Sequence, residues 1–190
     1  MLTPYGVDLP SVVERKKEKV GPFRVVYAGT ASVRKGIPLL LEVWKKLSLR
    51  DAELVLAGSW QLARPMEKHL PAGVKYVGPL AHGELMKVFQ EADLLILPSN
   101  FEGYGLVILE ALAQGLPVLA STATGAADLP ASEAVRLFKP ESPEQLAEAL
   151  IGAKAKQGKD LSGEARRIAE GCSWAKYRTA VTEAVRPVLD

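Results

Sequence analysis

Two stretches of the chain carry residue types that could do chemistry as well as packing. The first, Gly29-Thr30-Ala31-Ser32-Val33-Arg34-Lys35-Gly36, sets glycines, hydroxyls and an adjacent Arg-Lys pair just ahead of a helical pattern. Backbone amides and the helix dipole favour an anion at such a place, and Arg34 and Lys35 add formal charge, so the loop suits a phosphate or diphosphate. Neither the Walker pattern nor Gly-x-Gly-x-x-Gly is present, which leaves an ordinary P-loop and a dinucleotide fingerprint unsupported. A polar loop with two solvated cations fits the same residues equally well.

The second stretch is Ser99-Asn100-Phe101-Glu102-Gly103-Tyr104-Gly105, whose Gly-Tyr-Gly turn exposes amides at the start of a helix reading Leu106-Val107-Ile108-Leu109-Glu110-Ala111-Leu112-Ala113. That helix is apolar nearly all round, the pattern of a buried one, and Glu110 is its single charge. An unpaired buried carboxylate is costly. Glu110 must therefore either receive hydrogen bonds from the fold or face a cleft in which a ligand's hydroxyls donate to it. Glu102, just ahead of the helix, belongs near the same mouth. The bland alternative for each is an ordinary surface acid or one that complements the helix N-terminus.

Other reactive residues are scattered. His69 and His82 fall in different loops without an acid or thiol at ligand spacing, and read as loop or capping residues, although His82 could border the crevice. No Ser/His/Asp constellation appears. None of the six aspartates stands two residues from another, so no paired-aspartate site for a divalent cation is expected. Trp44 and Trp174 read as packing residues at helical spacing, and Trp60, after a strand end, is a weaker cleft candidate.

The elements that must position these loops alternate. Phe23-Gly29, Glu53-Gly58, Val74-Gly78, Asp93-Pro98, Pro117-Ser121 and Ala134-Phe138 read as strands, with helical stretches at Ile37-Leu47, Glu84-Glu91 and Gly105-Gln114. Strands apolar on both faces, alternating with helices, imply a parallel sheet covered on both sides. The expected fold is a doubly wound, Rossmann-like α/β domain of about six strands. In such sheets ligands bind beyond the carboxyl ends of the strands, where strand order reverses. The two loops meet there if the first strand and the strand ending at Pro98 are neighbours. After Pro143 the pattern is wholly helical, with Ser173 a candidate N-cap for the last helix. The division is a linker over residues 1–22, an α/β core over 23–142 and C-terminal helices over 143–190.

Composition narrows the partners. The chain has 190 residues, 48% hydrophobic, and 24 basic against 22 acidic side chains, a net charge of +2. This excludes the broad electrostatic footprint of a nucleic-acid binder. The basic run Arg15-Lys16-Lys17-Glu18-Lys19 is interrupted by acid and reads as a solvated face. A lone cysteine, Cys172, forms no internal disulfide and suits helix packing. The N-terminus lacks a signal-peptide pattern, and no apolar run approaches the roughly 20 residues that span a bilayer, so a soluble, cytoplasmic chain is expected, with peripheral membrane association left open.

Glu102-Gly103-Tyr104-Gly105-Leu106-Val107-Ile108-Leu109-Glu110 resembles the E-x7-E signature of retaining glycosyltransferase family 4, which has the GT-B architecture. The resemblance extends along nearly the whole chain. Tyr5-Gly6-Val7-Asp8 is similar to the turn that opens the family's C-terminal domain, and Arg34-Lys35-Gly36 to its basic loop. Gly125-Ala126-Ala127-Asp128-Leu129 is similar to a later donor-side loop, and Ser173-Trp174 to Tyr177 to the start of its last helix. The chain departs from the family at Thr30, where many members place an arginine.

The resemblance implies a donor site for a nucleotide-diphosphate sugar. Glu110 would bind the ribose hydroxyls, Glu102 would sit beside the sugar, and the amides of Tyr104, Gly105, Leu106 and Val107 would meet the sugar and diphosphate. Lys35 with Arg34 would neutralise the leaving diphosphate, Gly29 and Thr30 would flank it, and Leu80 would border the base. No metal and no further cofactor are implied. The expected function is the donor half of a retaining glycosyltransferase that needs an acceptor domain or partner chain for transfer and is inactive alone. The alternative is a non-catalytic sugar-nucleotide or interaction module that self-associates or binds a partner through the exposed interdomain face.

Overall fold

A computed structural model describes residues 5–10 and 21–189; the run Arg15–Lys19 lies outside them. Six strands form one parallel sheet: β1 (Phe23–Ala28), β2 (Ala52–Ala57), β3 (Val74–Gly78), β4 (Leu94–Leu97), β5 (Val118–Ser121) and β6 (Val135–Phe138). Their spatial order is β3-β2-β1-β4-β5-β6. The chain builds outward from β1 in one direction, returns, and builds outward in the other, so strand order reverses between β1 and β4. Register across the reversal pairs Val25 with Leu94 and Val26 with Leu95.

The helices are α1 (Ile37–Leu47), α2 (Arg64–Lys68), α3 (His82–Glu91), α4 (Leu106–Ala113), α5 (Pro143–Lys154), α6 (Ser162–Gly171) and α7 (Trp174–Leu189). The central strands are the most apolar because helices cover both their faces: every residue of β4 and β5 is buried, and all of β1 but Arg24. Helix α1 buries Ile37, Leu40, Leu41, Val43 and Trp44 on one stripe, each side chain worth about 1.5–3 kcal/mol of transfer free energy. Helix α5 covers α1 and β6, and α6 covers α4. Cys172 and Trp174 pack as expected, the first buried and the second against Gly6, and the Ser173 hydroxyl accepts the Lys176 amide at 3.4 Å as an N-cap.

The structure differs from the sequence expectation at the margins. The short helix α2 and a single 3-10 turn at Gly125–Asp128 were not foreseen, because neither is long enough to show a period. Strand β3 is not enclosed on both faces: it is an edge strand, and Val77 is 45% exposed. Residues 5–10 are tied in by Val7, whose amide donates to the Cys172 carbonyl at 2.9 Å, and by Pro10, whose carbonyl accepts from Arg166 at 2.7 Å.

Candidate functional site

The loop after β1 is held from beneath. Tyr27 is fully buried, and its hydroxyl donates to the Thr30 carbonyl at 2.8 Å. Burial pushes this phenol well above its ordinary range, with the charge of Glu102 adding and Arg34 opposing, so it stays a donor. The Thr30 and Ser59 hydroxyls pair at 3.0 Å, joining this loop to the one after β2.

The loop after β4 then closes on it. Gly36 has φ 71°, and a Cβ built there would stand 1.9 Å from the Pro98 carbonyl oxygen, an approach open only to glycine. The Asn100 amide donates to the Arg34 carbonyl at 2.9 Å. Lys35 Nζ forms an ion pair with Glu102 Oε2, the two side chains retaining 14% and 12% exposure. The buried Ser99 hydroxyl donates to the same oxygen at 3.3 Å, and the Gly103 amide to Oε1 at 3.2 Å. Arg34 is exposed and has no ion-pair partner among the described residues.

The far end of the second loop is fixed by a chain of buried hydroxyls. Ser121 donates to the Ser99 carbonyl at 2.5 Å, Thr124 to the Ser121 carbonyl at 2.8 Å, and the Gly125 amide to the Tyr104 carbonyl at 2.7 Å. The Tyr104 ring turns away from the strand ends, under Gly125 and edge-on to Tyr5 at 4.9 Å. Burial pushes its hydroxyl up to about 12, helped by Cys172 and Asp128; the nearby Tyr5 amide pulls the other way without making a well-formed hydrogen bond.

Gly105 opens α4 at φ 85° with no side-chain cap. Among the described residues the amides of Gly105, Leu106 and Val107 have no backbone acceptor. Helix α1 likewise begins on a left-handed glycine, Gly36, without a side-chain cap. The amides at the start of α1 are taken up within its own loop, Gly36 donating to the Val33 carbonyl at 2.9 Å and Ile37 to the Ser32 carbonyl at 3.3 Å, so it is the start of α4 whose backbone donors suit an anion.

Beside them lies a cleft of about 290 Å³. Its walls are Ala28 and Gly29 at the end of β1, Ala57 and Gly58 at the end of β2, Pro79, Leu80 and Leu85 around the start of α3, and Val107 and Glu110 on α4. Glu110 is half-buried, and among the described residues no group of the fold hydrogen-bonds or pairs with its carboxylate. Of the two fates open to this acid in the sequence, facing a cleft is the one observed.

Gly29, Leu80, Val107 and Glu110 therefore share the cleft; Thr30, Gly105 and Leu106 adjoin its lining residues in sequence, and Arg34, Lys35, Glu102 and Tyr104 lie on the two loops that meet through the Asn100 amide and the Lys35–Glu102 pair. Helix α4 is not enclosed all round as its composition suggested: Leu106 is 45% exposed because the first turn sits at the rim. Trp60 is not in the cleft wall; it packs edge-on to Tyr76 at 5.2 Å. His82 is exposed on the first turn of α3, and His69 Nδ1 donates to the Pro65 carbonyl at 2.8 Å, so neither histidine enters the cleft. Sequence reasoning missed Tyr27, Gly58 and the role of Ser99. One signal was available: the dipeptide Ala28-Gly29 recurs as Ala57-Gly58 at the end of the next strand.

The sequence matches the glycosyl transferases group 1 family over residues 11–170. The chain belongs to that family. This group 1 glycosyltransferase chain is 31% identical over 179 residues to D-inositol 3-phosphate glycosyltransferase of Rhodococcus jostii, covering 85% of itself and 40% of that protein. It superposes on sucrose-phosphate synthase from Thermosynechococcus elongatus with a TM-score of 0.71 at 25% identity, covering 89% of this chain and 46% of the other. HepE of Anabaena, solved in complex with UDP, gives a TM-score of 0.71 at 22% identity over 88% of this chain and 49% of that one. The chain thus spans less than half the length of each, and its sheet and helical tail have the GT-B form. Among the described residues no helix is long and apolar enough to cross a membrane.

Proposed function

We propose that this chain binds a nucleotide-diphosphate sugar, as the donor half of a retaining, metal-independent transferase of glycosyltransferase family 4. One observation carries the reading: a half-buried carboxylate, Glu110, that no described group of the fold satisfies, in a cleft bounded by the glycine turn Ala28-Gly29. An acceptor-only group left so placed gains most from a ligand that brings hydroxyl donors. UDP bound to HepE, a neighbour in fold, supports the same class of ligand.

In this reading Glu110 accepts from the ribose hydroxyls and Leu80 borders the base. The diphosphate lies toward Gly29 and Thr30 and the amides of Gly105, Leu106 and Val107, with the Tyr104 backbone and Glu102 toward the sugar. Breaking the bond between the anomeric carbon and the phosphate oxygen develops positive charge on the sugar and negative charge on the leaving diphosphate. Fixed amides with the cations of Lys35 and Arg34 lower that barrier electrostatically, and losing one such donor typically costs about 10²–10³ in rate. Transfer requires the opposite wall, an acceptor domain or partner chain.

Calorimetric titration of the chain with UDP-glucose, GDP-mannose and ADP-glucose tests the donor site. Binding of at least one is expected; no heat from any at millimolar concentration would refute it.

A further inference from the structure

The cation assigned to the diphosphate already has a partner within the fold. Lys35 Nζ is paired with Glu102 Oε2 where both side chains keep only 14% and 12% of their surface. Glu102 holds two further donors, Ser99 Oγ at 3.3 Å and the Gly103 amide at 3.2 Å. Among the described residues Lys35 Nζ has no second acceptor. Ser99 itself is fully buried, its carbonyl fixed by Ser121.

A diphosphate arriving at Lys35 must compete with Glu102 for one ammonium. Separating the pair leaves a largely desolvated carboxylate with neutral donors in place of a cation, which opposes binding. A sugar on the diphosphate brings hydroxyl donors to that carboxylate and offsets the loss. A bare nucleoside diphosphate brings none.

On the donor-site reading above, we propose that Glu102 is a specificity-determining counter-ion of Lys35 that makes the site favour a sugar-bearing nucleotide diphosphate over the spent one, promoting its release. Ser99 is the positioning residue that keeps the carboxylate aimed at the sugar once Lys35 turns to phosphate.

The test is calorimetric affinity for UDP and UDP-glucose, with the GDP/GDP-mannose and ADP/ADP-glucose pairs in parallel, on the chain and on Glu102→Gln and Ser99→Ala. In Glu102→Gln, Lys35 is released, so the bare diphosphate should bind about five- to tenfold tighter while its sugar-bearing partner binds no tighter. Ser99→Ala should weaken the sugar-bearing nucleotide about threefold and leave the bare one unchanged. If Glu102→Gln fails to fold by circular dichroism, Glu102→Ala carries the same comparison. A sugar-to-bare affinity ratio unchanged by loss of the Glu102 carboxylate would overturn the proposal while leaving the donor site intact. Failure of the unmodified chain to bind any of the six nucleotides would overturn both.

Discussion

At the scale of single residues, Glu102 and Glu110 show how two acids of one short stretch come to different states. Glu102 lies in the loop, within reach of Lys35, Ser99 and the Gly103 amide, and is satisfied by the fold. Glu110 lies in the second turn of α4, where neighbouring side chains are apolar, and among the described residues its carboxylate has only the cleft. Removing its charge should therefore harm binding and spare the fold. Glu110→Gln is expected to weaken the nucleotide-sugar that binds by about tenfold, read by calorimetry, with the melting temperature nearly unchanged. Unfolding of that variant would make Glu110 a structural acid. Both acids were legible as candidates in the sequence, Glu110 because a charge in an apolar run stands out and Glu102 because it lies just ahead of the same helix. Ser99 was not, because a serine at a strand end looks the same whether its hydroxyl meets water or a buried carboxylate.

At the scale of elements, the sheet's two ends are held by different means. At the amino end Arg24 of β1, Glu53 of β2 and Lys75 of β3 form an ion network that Glu91 of α3 joins. Burial favours the neutral form of Glu53, but hydrogen bonds from Lys75 at 2.9 Å and from Arg24 outweigh it and hold the carboxyl below its ordinary 4.5. A folded value below the unfolded one means the stabilisation is complete above the unfolded value and is lost as pH falls through the folded one. Glu53→Gln should cost about 1–2 kcal/mol at neutral pH, and the gap from the unmodified chain should narrow as pH falls below the unfolded value of 4.5, read from urea midpoints. At the carboxyl end a close glycine contact joins the Lys35–Glu102 pair in holding two loops together. Gly36→Ala would drive a methyl into the Pro98 carbonyl at a left-handed φ of 71°, and should cost about 2–4 kcal/mol and abolish nucleotide binding. Gly163→Ala in α6, where an added Cβ meets nothing within 4 Å, should be neutral or stabilise by about 0.5–1 kcal/mol. Thermal melts compare the two.

At the scale of the whole molecule, apolar side chains remain uncovered around the approach to the cleft. Val33 and Phe101, on loops that touch through Asn100, are each 66% exposed, and Leu106 at the start of α4 is 45% exposed. Solved neighbours in fold are about twice as long. Phe101→Ser should leave the unfolding free energy within about 0.5 kcal/mol of the unmodified chain, because little of the side chain is buried, and should lower self-association at high concentration measured by sedimentation. A fall in stability would show that Phe101 belongs to the core.

What the amino-acid order determined by itself was everything carried by period and punctuation: six apolar strands, the helices α1, α3 and α4 that follow β1, β3 and β4, the all-helical tail, and two glycine-rich turns with their charges. Those signals are local, since a strand two residues in period and a helix of 3.6 announce themselves within about ten positions. Tertiary structure alone decided that β1 and β4 are neighbours, so that Lys35 meets Glu102 across 67 positions of sequence, and that β3 is an edge. It also set the Tyr104 ring against Gly125 and Tyr5 and left Glu110 without a partner among the described residues. Such outcomes depend on which surfaces the helices cover and how closely two loops approach, and no local pattern encodes a distance between residues far apart in the chain.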